Sequence, residues 1–131
     1  MKIKILIADD HRMFRNALRN IIDSQDDMMV IAEAENGVDA VKKVNRYRPS
    51  MILMDIKMPE MDGIDATRQI SVIFPRIKII ALSSYADEAI SKKMIGAGAW
   101  AYISKNCHQD HLLNCIRSVW KDTKPETSYQ K

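Results

Sequence analysis

No apolar run in the chain approaches the roughly 20 residues that a helix needs to cross a bilayer, so no membrane-spanning segment is expected. There are only two cysteines, Cys107 and Cys115, with no second pair beside them. That signals neither a disulfide framework nor a zinc site, and it points to reduced thiols and a cytoplasmic location. No Lys/Arg run is present, and a net charge of +3 is too weak to argue for nucleic acid by itself. No helix-turn-helix and no internal repeat can be read. The basic, apolar start Met1–Ile7 runs into Asp9-Asp10 with no small-residue cleavage site after it, so it reads as a strand and not a leader. What remains is an ordinary globular composition, 131 residues and 47% hydrophobic, enough for one core.

The pattern along the chain alternates. Ile3–Ala8 reads as a strand ending in Asp9-Asp10, and Phe14, Ala17, Leu18, Ile21 and Ile22 then form a helical stripe. A second strand over Met28–Ala34 leads through the turn Asn36-Gly37 to a helix carrying Val38, Ala40, Val41 and Val44. Met51-Ile52-Leu53-Met54 is a third, buried strand that stops at Asp55. Asp62-Gly63 opens a helix with Ala66, Ile70, Ile73 and Phe74 on one face, Asp62 acting as its cap. A fourth strand, Ile77–Leu82, ends in Ser83-Ser84, and a helix runs from about Ala86 to Ile95. A fifth strand, Trp100–Ile103, ends in Ser104-Lys105, and a last helix carries Leu112, Leu113, Ile116, Val119 and Trp120. The expected domain is 1–121, with 122–131 a tail or the start of a linker. Five strand–helix alternations predict an α/β fold: a five-stranded parallel sheet flanked by five helices, flavodoxin-like, in strand order 2-1-3-4-5.

In such a sheet the strand ends share one edge. Asp9, Asp10, Asp55, Ser83 and Lys105 therefore gather there. Two like charges about 4 Å apart repel by roughly 4 kcal/mol at an effective dielectric of about 20. Such a cluster raises a pKa or binds a cation, and a few carboxylates completed by water suit Mg²⁺. A carboxylate can also serve as a nucleophile and form an aspartyl phosphate. The new phosphoryl oxygens would then be neutralised by the metal, by Lys105 and by the Ser83 hydroxyl. Each acid taken singly could be a solvated turn or a helix cap; the set at four strand ends is much harder to read that way.

Asp9-Asp10, the stretch Met54-Asp55-Ile56-Lys57-Met58-Pro59-Glu60-Met61-Asp62-Gly63, Ser83 and Lys105 resemble the response-regulator receiver domain, over Lys2 to about Lys121. Asp-Asp-His at the first strand end, Leu82–Tyr85 and Gly96–Ala99 look most like the DNA-binding regulators typified by NarL and FixJ. The resemblance implies that Asp55 accepts a phosphoryl group from a sensor histidine kinase. It implies a Mg²⁺ held by Asp10, Asp55 and the Lys57 backbone carbonyl, with Asp9 acting through water. It makes Ser83 and Tyr102 the switch pair, Lys105 the phosphoryl partner, and Lys57 and Tyr85 tuners of lifetime. It implies a switch with at most self-phosphorylation and self-dephosphorylation, a homodimer on phosphorylation, and DNA contact only through an effector domain outside this chain. Asn106 stands where the family often has a proline, and Ser83 where threonine is common.

Other readings fare worse. A phosphohydrolase of the haloacid-dehalogenase type carries a second acid two residues after its nucleophile, and Lys57 is there instead. An FMN module would meet acids where phosphate binders place glycine and hydroxyls. His11 is expected to pack or face water, and His108 and His111 to lie at a solvated helix start. Cys115 is expected buried and Cys107 exposed. Met94, Trp100 and Tyr102 are expected on an exposed switching face.

Overall fold

The computed structural model describes residues 1–84 and 88–122. Its elements are β1 (Ile3–Ala8), α1 (Arg12–Asp23), β2 (Met28–Ala34), α2 (Gly37–Tyr47), β3 (Met51–Asp55), α3 (Gly63–Ile73), β4 (Lys78–Ser83), α4 (Glu88–Ala97), β5 (Ala101–Ser104) and α5 (Gln109–Lys121). All neighbouring strands pair in parallel, in the order β2-β1-β3-β4-β5. This is the expected flavodoxin-like arrangement.

Alternation along the strands divides the core into two layers. Ile5, Ile7, Leu53, Ile80, Leu82 and Ile103 face one side, where Leu18 and Ile22 of α1 and Leu112 and Ile116 of α5 cover them. Leu6, Ala8, Ile52, Met54, Ile79 and Ala81 face the other, under Ala40 and Val44 of α2, Ala66 and Ile70 of α3 and Met94 of α4. Each fully buried Ile or Leu contributes about 1.5–3 kcal/mol, so the central strands, covered on both faces, hold the sheet rigidly. Rigidity there fixes the strand ends.

Several boundaries move. β4 and β5 each begin one residue later than the hydropathy suggests, which places Ser83 opposite Ser104 as the last pair of the two strands. α4 begins at Glu88, and the residues expected to open it, with Tyr85, lie outside the described residues. So does all but the first residue of 122–131. Ile73 is exposed, because α3 stops there and Phe74 takes the core side, its ring under the Arg48 guanidinium at 4.6 Å. Trp120 is also exposed, and so is Ala17.

Candidate functional site

Two short backbone extensions and one strand end build the site. Asp9 prolongs β1 by one bond, its N–H donating to Ala34 O at 2.9 Å. Asp55 is the last residue of β3, a strand buried along its whole length. Lys105 prolongs β5 by donating its N–H to Ser83 O at 2.8 Å. Asp9, Asp55 and Ser83 are buried, at 0%, 5% and 3% exposure, and three polar groups so hidden demand compensation.

Compensation is incomplete. The Lys105 ammonium lies 2.5 Å from Asp9 Oδ2 and 3.3 Å from Asp55 Oδ2, its charge also 4.6 Å from the centre of the Phe14 ring. No donor is aligned as a hydrogen bond on Asp9 Oδ2, so the contact there is ionic only. Asp55 Oδ1 accepts the Ile56 N–H at 2.9 Å. Burial, reinforced by the Asp9 charge and only partly countered by Lys105, pushes the Asp55 carboxyl up to about 6. One cation serving two buried acids leaves room for another.

Asp10 is at the rim, its side chain 31% exposed. His11 faces water as expected, 69% exposed, yet its Nδ1 also stands 3.1 Å from an oxygen of each of Asp9 and Asp10. Its backbone N–H donates to Asp9 Oδ1 at 2.7 Å. Asp9, Asp10, His11 and Asp55 each offer a ligand atom within 4.8 Å of the others, mostly carboxylate oxygens, a donor set fitted to a hard divalent cation. His108 does something else: its Nδ1 accepts the Asp110 N–H at 3.1 Å and caps α5.

A cleft of about 100 Å³ opens onto Asp55, lined also by His11, Lys57, Ser83, Ser84 and Lys105. Two glycines let the loop after β3 pack closely, Gly63 against Asp55 itself and Gly37 against Met61. A Cβ on Gly63 would stand 2.0 Å from the Asp55 carbonyl oxygen, and the Gly63 N–H donates to Ile56 O at 2.7 Å. Asp62 caps α3 as expected, accepting the Asp65 N–H at 2.9 Å. A Cβ on Gly37 would stand 2.4 Å from Met61 O, which accepts the Gly37 N–H at 2.9 Å. Between them Glu60 has φ 66 inside a γ-turn closed by Met61 N–H to Pro59 O at 2.7 Å. That left-handed turn is strained for a non-glycine residue, and the two backbone anchors hold it.

The expected exposed switching face is not formed. Met94, on the inner face of α4, is fully buried, Tyr102 is 7% exposed in the same core layer, and Trp100 is half-buried. β5 lies at the sheet edge but α4 and α5 cover its faces, and the apolar cost of exposing Met94 keeps it inside. Cys115 is buried, its thiol pushed up to about 12 chiefly by burial. Cys107 is not an exposed thiol: it packs half-buried against the core.

Sequence reading missed Arg15 and Glu33. Glu33 sits on β2 between buried alanines, and Arg15 and Arg19, one turn apart on α1, bind its two oxygens at 2.8 and 2.7 Å. Burial opposes its ionisation, but hydrogen bonds from Arg19 and Arg15 outweigh that and hold its carboxyl below the usual range. An acid on an otherwise apolar strand was the available signal.

Comparison with known proteins agrees with this geometry. The response regulator receiver domain family matches residues 5–117. The oxygen regulatory protein NreC of Staphylococcus aureus is 42% identical over 120 residues, 91% of this chain and 55% of NreC. The chain spans about half the length of the curated relatives it matches. A LuxR-family two-component response regulator from Aurantimonas superposes with a TM-score of 0.87 at 27% identity, over 92% of this chain and 86% of that one. The CheX–CheY–BeF₃–Mg²⁺ complex from Borrelia burgdorferi gives 0.85 at 27% identity, over 91% and 90%. The chain belongs to the response-regulator receiver domain family, among relatives of the NarL/FixJ kind.

Proposed function

We propose that this domain is a phosphorylation switch in which Asp55 takes a phosphoryl group from a sensor histidine kinase in a Mg²⁺-dependent reaction. The observation that carries it is Asp55 itself, an acid buried at the end of β3, open to a cleft, with Lys105 at 3.3 Å. In the transfer an Asp55 oxygen bonds to phosphorus while the phosphorus–nitrogen bond of the phosphohistidine breaks, its electron pair returning to the imidazole. Asp10, Asp55 and the Lys57 carbonyl would hold Mg²⁺, with Asp9 acting through water; bound there, the ion neutralises the phosphoryl oxygens and keeps Asp55 ionised. Lys105 supplies positive charge to the same oxygens, and the Ser83 hydroxyl moves toward them. The related Borrelia CheY, seen with BeF₃ and Mg²⁺, supports the chemistry.

Signalling then follows from a population shift. Tyr102 on β5 packs in the core layer under α4, and movement of Ser83 frees space for it to change rotamer. The phosphoryl group biases that equilibrium only through contacts it makes in one state, those to Ser83 and Lys105. The domain is 1–121; the chain from 122 leads toward an effector domain that would carry DNA binding, and phosphorylation would favour a homodimer. It turns over no external substrate beyond its own phosphorylation and dephosphorylation, and it works in the cytoplasm. Incubation with a small acyl phosphate, followed by intact mass, tests the reading: one phosphoryl gain that requires Mg²⁺ and is lost in Asp55→Asn. A gain that persists in Asp55→Asn contradicts it.

A further inference from the structure

We infer that Arg15 is a positioning residue that aims the metal-holding acids, acting through the backbone carbonyl of Asp9 and itself held by Glu33. The inference rests on the reading of Asp9 and Asp10 as acids that hold Mg²⁺. Arg15 donates through one terminal nitrogen to Asp9 O at 2.7 Å and through Nε to Glu33 Oε1 at 2.8 Å. Its side chain is only 12% exposed and that of Glu33 23%, so the link is shielded from water. Glu33 is anchored in turn, by Arg19 on its second oxygen at 2.7 Å and by Lys43 on its carbonyl at 2.5 Å.

The chain needs such a support at this point. The sheet pairing of β1 ends at Ala8 on both sides, opposite Ala34 of β2 and Met54 of β3. The Asp9 N–H still reaches Ala34 O, but its carbonyl has passed Met54, the last residue of β3 paired with β1. Arg15 supplies the donor there. A peptide unit is planar, so fixing the Asp9 carbonyl fixes the direction in which Asp10 leaves, and with it the reach of the Asp10 carboxylate. The guanidinium does this because its N–H groups form a rigid fork; a lysine ammonium is a single point that cannot reproduce both bonds. Partners that orient a metal ligand commonly govern affinity by 10–100-fold.

Calorimetric titration of the unphosphorylated domain with Mg²⁺ tests this. Arg15→Ala should weaken Mg²⁺ binding about tenfold, and Arg15→Lys roughly threefold, since it keeps only one of the two bonds. Arg19→Ala, which removes the other partner of the same Glu33 carboxylate, should stay within about twofold, a split that general loosening of the ion cluster would not produce. Phosphorylation by a small acyl phosphate should show the loss in the Mg²⁺ concentration required, with the rate at saturating Mg²⁺ within about twofold of wild type. Should Arg15→Ala not fold, Arg15→Lys carries the test. Unchanged Mg²⁺ affinity in the Arg15 variants, or an equal loss in Arg19→Ala, overturns the inference. A wild-type domain that binds no Mg²⁺ overturns the phosphoacceptor reading beneath it instead.

Discussion

The Lys105 ammonium is closer to Asp9 than to Asp55, 2.5 Å from Asp9 Oδ2 against 3.3 Å from Asp55 Oδ2. One cation is therefore shared between two buried acids, and phosphoryl oxygens arriving on Asp55 would compete with Asp9 for it. Lys105→Met keeps an apolar stem beside Phe14 and removes the charge, leaving both carboxylates without their counter-ion. Loss of one partner from a buried charge cluster costs about 3–5 kcal/mol. Urea denaturation of the metal-free variant near neutral pH should show a loss toward that size, and carboxyl NMR should place the Asp55 midpoint above its value of about 6. An unchanged midpoint would mean that Lys105 does not compensate Asp55.

Asp55 itself should weaken the metal-free fold. Its folded carboxyl is raised from 3.8 to about 6, chiefly by burial. The folded state thus binds the proton more tightly than the unfolded chain, and stability falls as pH rises from 3.8 through about 6. The cost above that window is on the order of 3 kcal/mol. Asp55→Asn removes that net cost, which already includes the attraction to Lys105, and should stabilise the domain by about 1–3 kcal/mol at neutral pH. The gain should shrink as pH drops toward 4, and added Mg²⁺ should narrow it by stabilising only the wild type. Denaturant melts at two pH values check this, and an Asp55→Asn variant no more stable than wild type at neutral pH speaks against it.

Two glycines should behave oppositely. Gly63→Ala places a methyl 2.0 Å from the Asp55 carbonyl oxygen, a backbone atom that can yield only by displacing the site. It should cost about 2 kcal/mol or more and disturb the cleft. Gly96 lies in α4 with nothing within 4 Å of an added Cβ, so Gly96→Ala should gain about 0.5–1 kcal/mol. Thermal melts of the two variants decide it.

Lys78 closes the far end of the sheet. Its ammonium donates to the carbonyls of Val119 and Trp120, each at 2.9 Å, and to that of Asp122, and it lies over the Trp100 ring at 4.7 Å. It is thus the cap of α5, tied to β4 at its first residue. Lys78→Met should destabilise by about 1–3 kcal/mol and speed amide exchange in the last turn of α5 before it affects α1. Exchange that rises uniformly would contradict a local cap.

Much of this was legible from strand hydropathy. Runs such as Met51–Met54 end abruptly at Asp55, and parallel strands oblige such ends to meet, so the acids, Ser83 and Lys105 could be placed together before any coordinates. Periodicity was weaker where it had to say what covers a face. It put Ile73 inward beside Phe74, because it cannot register that α3 stops at Ile73 and only Phe74 reaches the core; the expectation of Met94 on an exposed face failed because α4 lies over β5. Arg15 and Lys78 were invisible for another reason, and Glu33 showed only as an acid on an otherwise apolar strand, with nothing to name its partners. Their partners are backbone carbonyls and charges distant in sequence, and such pairs follow from packing, not from local pattern. His11 read as solvated because its exposure and its proximity to two acids are both true.

The most direct measurement is to reduce the acyl-phosphate-treated domain with borohydride and locate the modified residue by peptide mass spectrometry. Reduction converts an aspartyl phosphate to homoserine at the acceptor. The account predicts homoserine at position 55, formed only when Mg²⁺ was present. Homoserine at position 9 or 10, or none at 55 after treatment with Mg²⁺ and donor, would contradict it.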